Sequence, residues 1–270
     1  MKARISTSTD PVMLQLTSPK GIRVSFQKSG SGPALVLVHG GFSDHHTNWE
    51  FVEPLFRGQF TVYALARRNR GDTEATQGHT LLNEAQDVVA LIRHVGEPVF
   101  LLGHSYGAQC AVNAARLVPA LVRKLVLYEA PQPSIMSPAT LAALETLAAD
   151  GAWDAFSFAF FHDVLRVPVA DLEALRATDL WPPIVADAPA SLGDLRALSG
   201  HPFSAAAFRG LLMPVCLQFG SESDRDLYVT DALAAVLPHA RLQALAGQAH
   251  EGMTTAPEMY AAAVTEFLLA

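Results

Sequence analysis

Between an apolar run, Val99 to Leu102, and an alanine-rich stretch opening at Ala108 lies the pentapeptide Gly103-His104-Ser105-Tyr106-Gly107. Strand, sharp turn and helix in that order describe a nucleophile elbow, which holds a serine on a strained turn at the edge of a sheet. A turn pressed between strand and helix has no room for Cβ atoms at its glycine positions, and glycine tolerates the backbone angles required. Ser105 is therefore the first candidate for a nucleophile.

The surrounding pattern supplies the sheet. Val12 to Leu16 and Ile22 to Phe26 alternate apolar with polar residues around the turn chemistry of Ser18-Pro19-Lys20-Gly21, so an antiparallel pair is expected first. From Ala34 the runs become continuously apolar: Ala34 to Val38, Thr61 to Ala66, Val99 to Leu102, Leu125 to Tyr128, Val215 to Phe219 and Arg241 to Leu245. Such runs suit strands covered on both faces, as in a parallel sheet. Helical spacing joins them, at Ala85, Val88, Val89 and Ile92 and at Ala108, Ala111, Val112 and Ala115, and a last helix is expected from Pro257. The alternation stops between Pro131 and about Gly210, where helix-like stretches follow one another. This predicts a core from residues 1–133 and 210–270 and a helical cap from 134–209. Six of the 14 phenylalanines (156, 158, 160, 161, 203 and 208) and two of the three tryptophans (153 and 181) fall in the break, which predicts an apolar pocket.

Composition narrows the partners. A net charge of −7 without a Lys/Arg block argues against nucleic acid and anionic membranes. The two cysteines, Cys110 and Cys216, sit in apolar segments and read as buried free thiols. No metal-type cysteine spacing and no dinucleotide glycine pattern occurs, so no metal or other cofactor is implied. Met1 to Asp10 is polar and lacks a signal-peptide core, and no apolar segment has membrane-spanning length; a cytoplasmic protein, monomer or homodimer, is the expectation.

A serine hydroxyl is a poor nucleophile at neutral pH and needs a base with an orienting acid behind it. His250 follows the last strand-like run in the small-residue loop Gly247-Gln248-Ala249-His250 and is the best base. With His39-Gly40-Gly41-Phe42 after the third strand, the elbow at Gly103 to Gly107 and this histidine loop, the chain resembles capped serine hydrolases of the α/β-hydrolase fold over almost its whole length. The resemblance implies an eight-stranded, mostly parallel sheet with helices on both faces and a cap after the strand that follows the nucleophile helix. It implies an oxyanion hole from the amides of Gly41 and Tyr106, with Phe42 as the alternative, and a structural role for His39. Arg67-Arg68-Asn69-Arg70-Gly71-Asp72-Thr73 resembles the family's arginine- and glycine-bearing loop, with Ala66 where an Asp is usual, and is assigned to loop stabilisation. His45 and His46 are read as a solvated loop.

Family members most often carry the acid three residues beyond the glycine that ends the next-to-last strand. That residue here is Ser223. Glu129, at the end of the run Leu125 to Tyr128, lies at the carboxyl edge of the sheet where active sites form and is the first candidate, with Asp224 and Glu222 as alternatives. Phe42, Trp153, Phe156, Phe160, Trp181 and Met253 are expected to wall the substrate pocket. The reading is hydrolysis of a small to medium apolar carboxylic ester or lactone through an acyl-enzyme at Ser105. Carbon–carbon bond hydrolysis, perhydrolysis of the haloperoxidase type and cofactor-free oxygenation are alternatives on the same fold, and a non-catalytic ligand receptor is the rival from another class.

Overall fold

The computed structural model describes residues 10–18, 21–74 and 80–270. The expectations for the N-terminal stretch before Asp10 and for the turn residues Pro19 and Lys20 lie outside the described residues. Strands β1 (Val12–Thr17), β2 (Arg23–Gly30), β3 (Ala34–Val38), β4 (Thr61–Leu65), β5 (Val99–His104), β6 (Val122–Tyr128), β7 (Val215–Gly220) and β8 (Ala240–Leu245) form one sheet in the order β1-β2-β4-β3-β5-β6-β7-β8. The pairs β1–β2 and β2–β4 are antiparallel, and all the others are parallel. The helices are α1 (Glu53–Phe56), α2 (Leu81–Val95), α3 (Tyr106–Leu117), α4 (Pro138–Ala149), α5 (Trp153–Ala159), α6 (Val169–Arg176), α7 (Trp181–Ser199), α8 (Thr230–Ala234), α9 (Gly252–Thr255) and α10 (Pro257–Leu269).

The continuous apolar runs of the inner strands exist because the sheet is covered twice there, whereas the last run, at Arg241 to Leu245, is the edge strand β8 and is largely exposed, against the expectation. Along β3, Ala34, Val36 and Val38 enter a core with Val88, Ile92, Ala111 and Val112 of α2 and α3. Leu35 and Leu37 enter a second core with Trp49, Phe56, Tyr260 and Val264 on the opposite face. The period of two thus persists, with both faces apolar. Helix α2 starts where the Thr80 hydroxyl accepts a hydrogen bond from the Asn83 amide (3.2 Å) and stops at Gly96, whose φ is 80°. The apolar runs mark only the buried part of each strand: β5 continues through His104 and β6 begins at Val122.

Helices α4 to α7, with a π-helical turn at Phe160–Val164 continuing α5, lie between β6 and β7 and form no strand. They have a core of their own, Leu144, Phe156, Phe160, Val164, Ala188, Leu192 and Leu195, into which Phe42 of the sheet-side loop also inserts. Both cysteines are buried and free. No helix among the described residues is long and apolar enough to cross a membrane. The solvated-loop expectation fails for His45, which is buried against Gly71, whereas His46 is exposed.

Gly107 fixes how closely α3 approaches β3. A Cβ there would land on the backbone carbonyl oxygens of Val38 and His39. Because these are backbone atoms of a buried strand end, Gly107→Ala is expected to destabilise the fold by about 3 kcal/mol or more, read as a lower denaturation midpoint.

Candidate active site

The carboxyl edge of the sheet collects the functional side chains. Ser105 follows β5 directly at φ 52° and ψ −126°, backbone angles that a residue with a side chain adopts only under constraint. The constraint comes from both neighbours: its amide donates to the Tyr128 carbonyl at the end of β6 (2.9 Å), and its carbonyl accepts from the Ala108 amide in α3 (2.9 Å).

The end of β6 also builds the histidine loop. The Tyr128 hydroxyl donates to the Ala249 carbonyl and accepts from the Gly252 amide (3.2 Å), which brackets His250. The next residue, Glu129, is fully buried and has φ 50°. Its Oε1 accepts from the Gly220 amide (2.7 Å), and its Oε2 lies 2.6 Å from His250 Nδ1. Burial alone would push the Glu129 carboxyl up, but the hydrogen bond and charge of His250 outweigh it and hold the group below 4.5. Burial likewise disfavours His250 imidazolium, and Glu129 reverses the balance, raising the imidazole above 6.5. The carboxylate accepts a hydrogen bond from Nδ1–H, so neutral His250 presents the lone pair of Nε2. Two rings fix the imidazole plane: Tyr228 is parallel to it (10°, centroids 5.4 Å apart) and His104 lies tilted at 4.7 Å. His104 is held neutral by burial and by His250, and its Nε2 donates to the His250 carbonyl (3.0 Å).

The alternative carboxylates do not reach the ring. Asp224 is exposed, pairs with Arg166 and accepts from the Asp226 amide, while the exposed Glu222 side chain accepts from Ser221. Their loop turns outward because the Ser221 amide donates to Leu245 (3.0 Å) and the Glu222 amide to Gln248 (2.9 Å).

After β3, His39 Nδ1 donates to the Gly40 carbonyl (2.8 Å), while its Nε2 accepts from the Arg67 amide (3.1 Å). Burial first, then Arg67 and Arg70, keep His39 neutral, as those two bonds require. Gly41 and Tyr106 line the cavity over Ser105, and among the described residues neither amide has a hydrogen-bond partner. Phe42 does not fit the role of alternative oxyanion donor: its amide is spent on Ser191 Oγ at 2.6 Å.

The cavity is walled by Phe42, Ile135, Phe160, Phe161, Leu195 and Tyr228, among others, and has a free volume of ≈ 40 Å³. Four aromatic or sulfur side chains expected in the wall are elsewhere. Trp153 and Phe156 pack edge-to-face inside the insertion, and Trp181 lies outside the cavity with its indole N–H on Asp154 (2.7 Å). Met253 belongs to the core beneath the opposite face of the sheet. The insertion keeps Trp153 and Phe156 for its own interior, while Phe160, Phe161 and Leu195 reach the cavity.

The arginine loop is buried and spans core and insertion. Arg67 Nη1 donates to Glu84 (2.8 Å), Nη2 to Gly40 O (2.8 Å) and Asp194 (2.7 Å), and Nε to His39 O (2.9 Å). Arg70 Nη2 reaches Asp187 (2.9 Å), Ser191 (3.0 Å) and Asp194 (2.8 Å). Ser191 and Asp194 carry no sequence signal, since polar residues on a long helix ordinarily mark its solvated side.

Among the described residues, His104, His250 and Glu251 bring ligand atoms within 4.8 Å of one another. That set suits a metal poorly, because Nε2 of His104 donates to the His250 carbonyl and Nδ1 of His250 faces Glu129.

Comparison with solved structures returns the same architecture. An alpha/beta hydrolase from Sphaerobacter thermophilus superposes with a TM-score of 0.83 at 27% identity, over 94% of this chain and 100% of that one. An esterase from a Rhodococcus species superposes with a TM-score of 0.75 at 22% identity, over 96% and 98%, a likeness of fold alone. An uncharacterized protein of Mycobacterium tuberculosis is 32% identical over 124 residues, 44% of this chain and 36% of its own length. The chain thus spans about a third of the curated relatives it matches first. The profile of the alpha/beta hydrolase family matches residues 35–263, from within β3 to within α10, and takes in the elbow, the Gly41 loop and His250 together; the chain belongs to the alpha/beta hydrolase family.

Proposed function

We propose that the protein is a serine hydrolase that cleaves a carboxylic ester or lactone through an acyl-enzyme at Ser105. The observation that carries this reading is the 2.6 Å bond between Glu129 and His250 Nδ1, which leaves Nε2 as the proton acceptor in the cavity that Ser105 also lines. Ser105 Oγ attacks the ester carbonyl as its proton passes to His250 Nε2. The carbonyl π pair moves onto oxygen, where the amides of Gly41 and Tyr106 receive it. Collapse of the tetrahedral species expels the alkoxide, which takes the proton from His250. Water, deprotonated by the same imidazole, then releases the acid.

The cavity bears on substrate class. Its apolar wall favours uncharged acyl or aryl groups over peptides and polysaccharides. The test uses p-nitrophenyl acetate and butyrate with a fluorophosphonate label. Turnover of the esters, with stoichiometric loss of activity on labelling and the label recovered on Ser105, is the expected result. A folded protein that neither turns over these esters nor accepts the label would overturn the reading.

A further inference from the structure

We propose that Ser191 and Asp194 of helix α7 are positioning residues for the oxyanion hole, so that the insertion orients the Gly41 amide as well as covering the substrate. The proposal rests on the serine hydrolase reading above. The Gly41 N–H belongs to the same planar trans peptide as the Gly40 carbonyl, so whatever holds that oxygen aims the N–H in the opposite direction. Three donors hold it: His39 Nδ1 (2.8 Å), Arg67 Nη2 (2.8 Å) and, at longer range, Ser43 Oγ (3.4 Å). The same Nη2 donates to Asp194 (2.7 Å), and Arg67 Nη1 reaches the other carboxylate oxygen (3.1 Å), so helix α7, together with Glu84 and the His39 carbonyl, fixes the guanidinium that holds the peptide.

The next peptide is held from the same helix. Phe42, at φ 55°, is in a conformation that persists only where its surroundings over-determine it. Its amide is bonded to Ser191 Oγ (2.6 Å), and its ring stacks on Phe160 (centroids 4.5 Å apart). Arg70 Nη2 ties the two α7 residues together by donating to both. Helix α7 lies directly on the loop: a Cβ built on Gly41 would be 3.6 Å from Asp194 Oδ2 and 3.6 Å from Ser191 Oγ. Opening the insertion would remove both attachments together and loosen the two peptides that flank Gly41.

The test compares wild type with Ser191→Ala, using p-nitrophenyl butyrate, an alkyl trifluoromethyl ketone and its methyl ketone counterpart. The trifluoromethyl ketone accepts the Ser105 Oγ–C bond while its C=O π pair becomes an oxyanion and the serine proton goes to His250, so its affinity reports on the hole. The methyl ketone reports ground-state binding. Ser191→Ala is expected to lower kcat about 10- to 100-fold with KM within about threefold, and to weaken the trifluoromethyl ketone by the factor lost in kcat/KM while the methyl ketone is unchanged. Should Ser191→Ala not fold, Ser191→Cys, close in size and a weaker acceptor, is expected to fall between it and wild type. The proposal is overturned if the folded variant keeps wild-type kcat, or if kcat falls while trifluoromethyl ketone affinity does not. A wild type inert toward ester and label overturns the hydrolase reading, and this proposal with it.

Discussion

Ser105→Ala is expected to reduce ester turnover by about 10⁴- to 10⁶-fold while leaving the fold intact. On the proposed mechanism the loss is large because the acyl-enzyme route disappears altogether, leaving only whatever binding and the Gly41 and Tyr106 amides give to direct attack by water. The fold survives because no hydrogen bond within the described residues depends on Ser105 Oγ: the contacts that hold the turn come from its amide and carbonyl. Alanine takes the same backbone angles at the same cost as serine, so the denaturation midpoint should stay within a few degrees of wild type. His250→Ala should lose a comparable factor, and the double variant should be no worse than the more damaged single one, since serine and imidazole act as one unit. Rates of p-nitrophenyl butyrate hydrolysis and fluorophosphonate labelling measure both. Losses that multiplied in the double variant would mean that Ser105 and His250 act in separate steps.

Much of the frame is legible in the chain because its signals are local. The run Val99 to Leu102, the glycines at 103 and 107 and the helix period beyond lie within about twenty residues, and each restricts the backbone independently of the rest of the molecule. Double-faced burial writes itself into β3 and β5 as uninterrupted apolar sequence. What the chain conceals depends on distant neighbours. Ser191 and Asp194 look like solvated helix positions and are buried only because Arg67 and Arg70, more than a hundred residues earlier, need acceptors. Trp153, Phe156 and Trp181 show by composition that an apolar interior exists, but composition does not tell the insertion's core from the cavity wall. His45 reads as solvated for the same reason, since nothing near it in sequence foretells its contact with Gly71. The position of the acid is an intermediate case. Ser223 removes the usual candidate, and the strand end at Tyr128 and Glu129 offers another, but only the outward turn of the loop at 221–224 separates Glu129 from Asp224.

Glu129→Gln should therefore cut kcat/KM by about 10²- to 10⁴-fold and Asp224→Asn should not, because Asp224 is engaged with Arg166 at the surface. The amide retains a carbonyl oxygen for the Gly220 amide, so the loop should stay in place, but it removes the charge that stabilises His250 imidazolium. The pH profile separates this electrostatic effect from simple damage. In the wild type His250 is raised above 6.5 by Glu129 against the pull of burial, so the acid limb of kcat/KM should lie above the ordinary histidine value; in Glu129→Gln burial is opposed only by the neighbouring Glu251 and the limb should move to lower pH. Stability follows the same pair. Glu129, depressed below 4.5, contributes stability at pH above the unfolded carboxyl value and loses it as pH falls through the folded one. His250, raised above 6.5, contributes below its unfolded value and loses it as pH rises through the folded one. Both contributions are complete only between about 4.5 and 6.5, so the difference in denaturation midpoint between wild type and Glu129→Gln should be greatest there and shrink on either side. A midpoint difference that is flat across pH, with an unmoved acid limb, would mean that Glu129 supports the strand end and leaves the imidazole untouched.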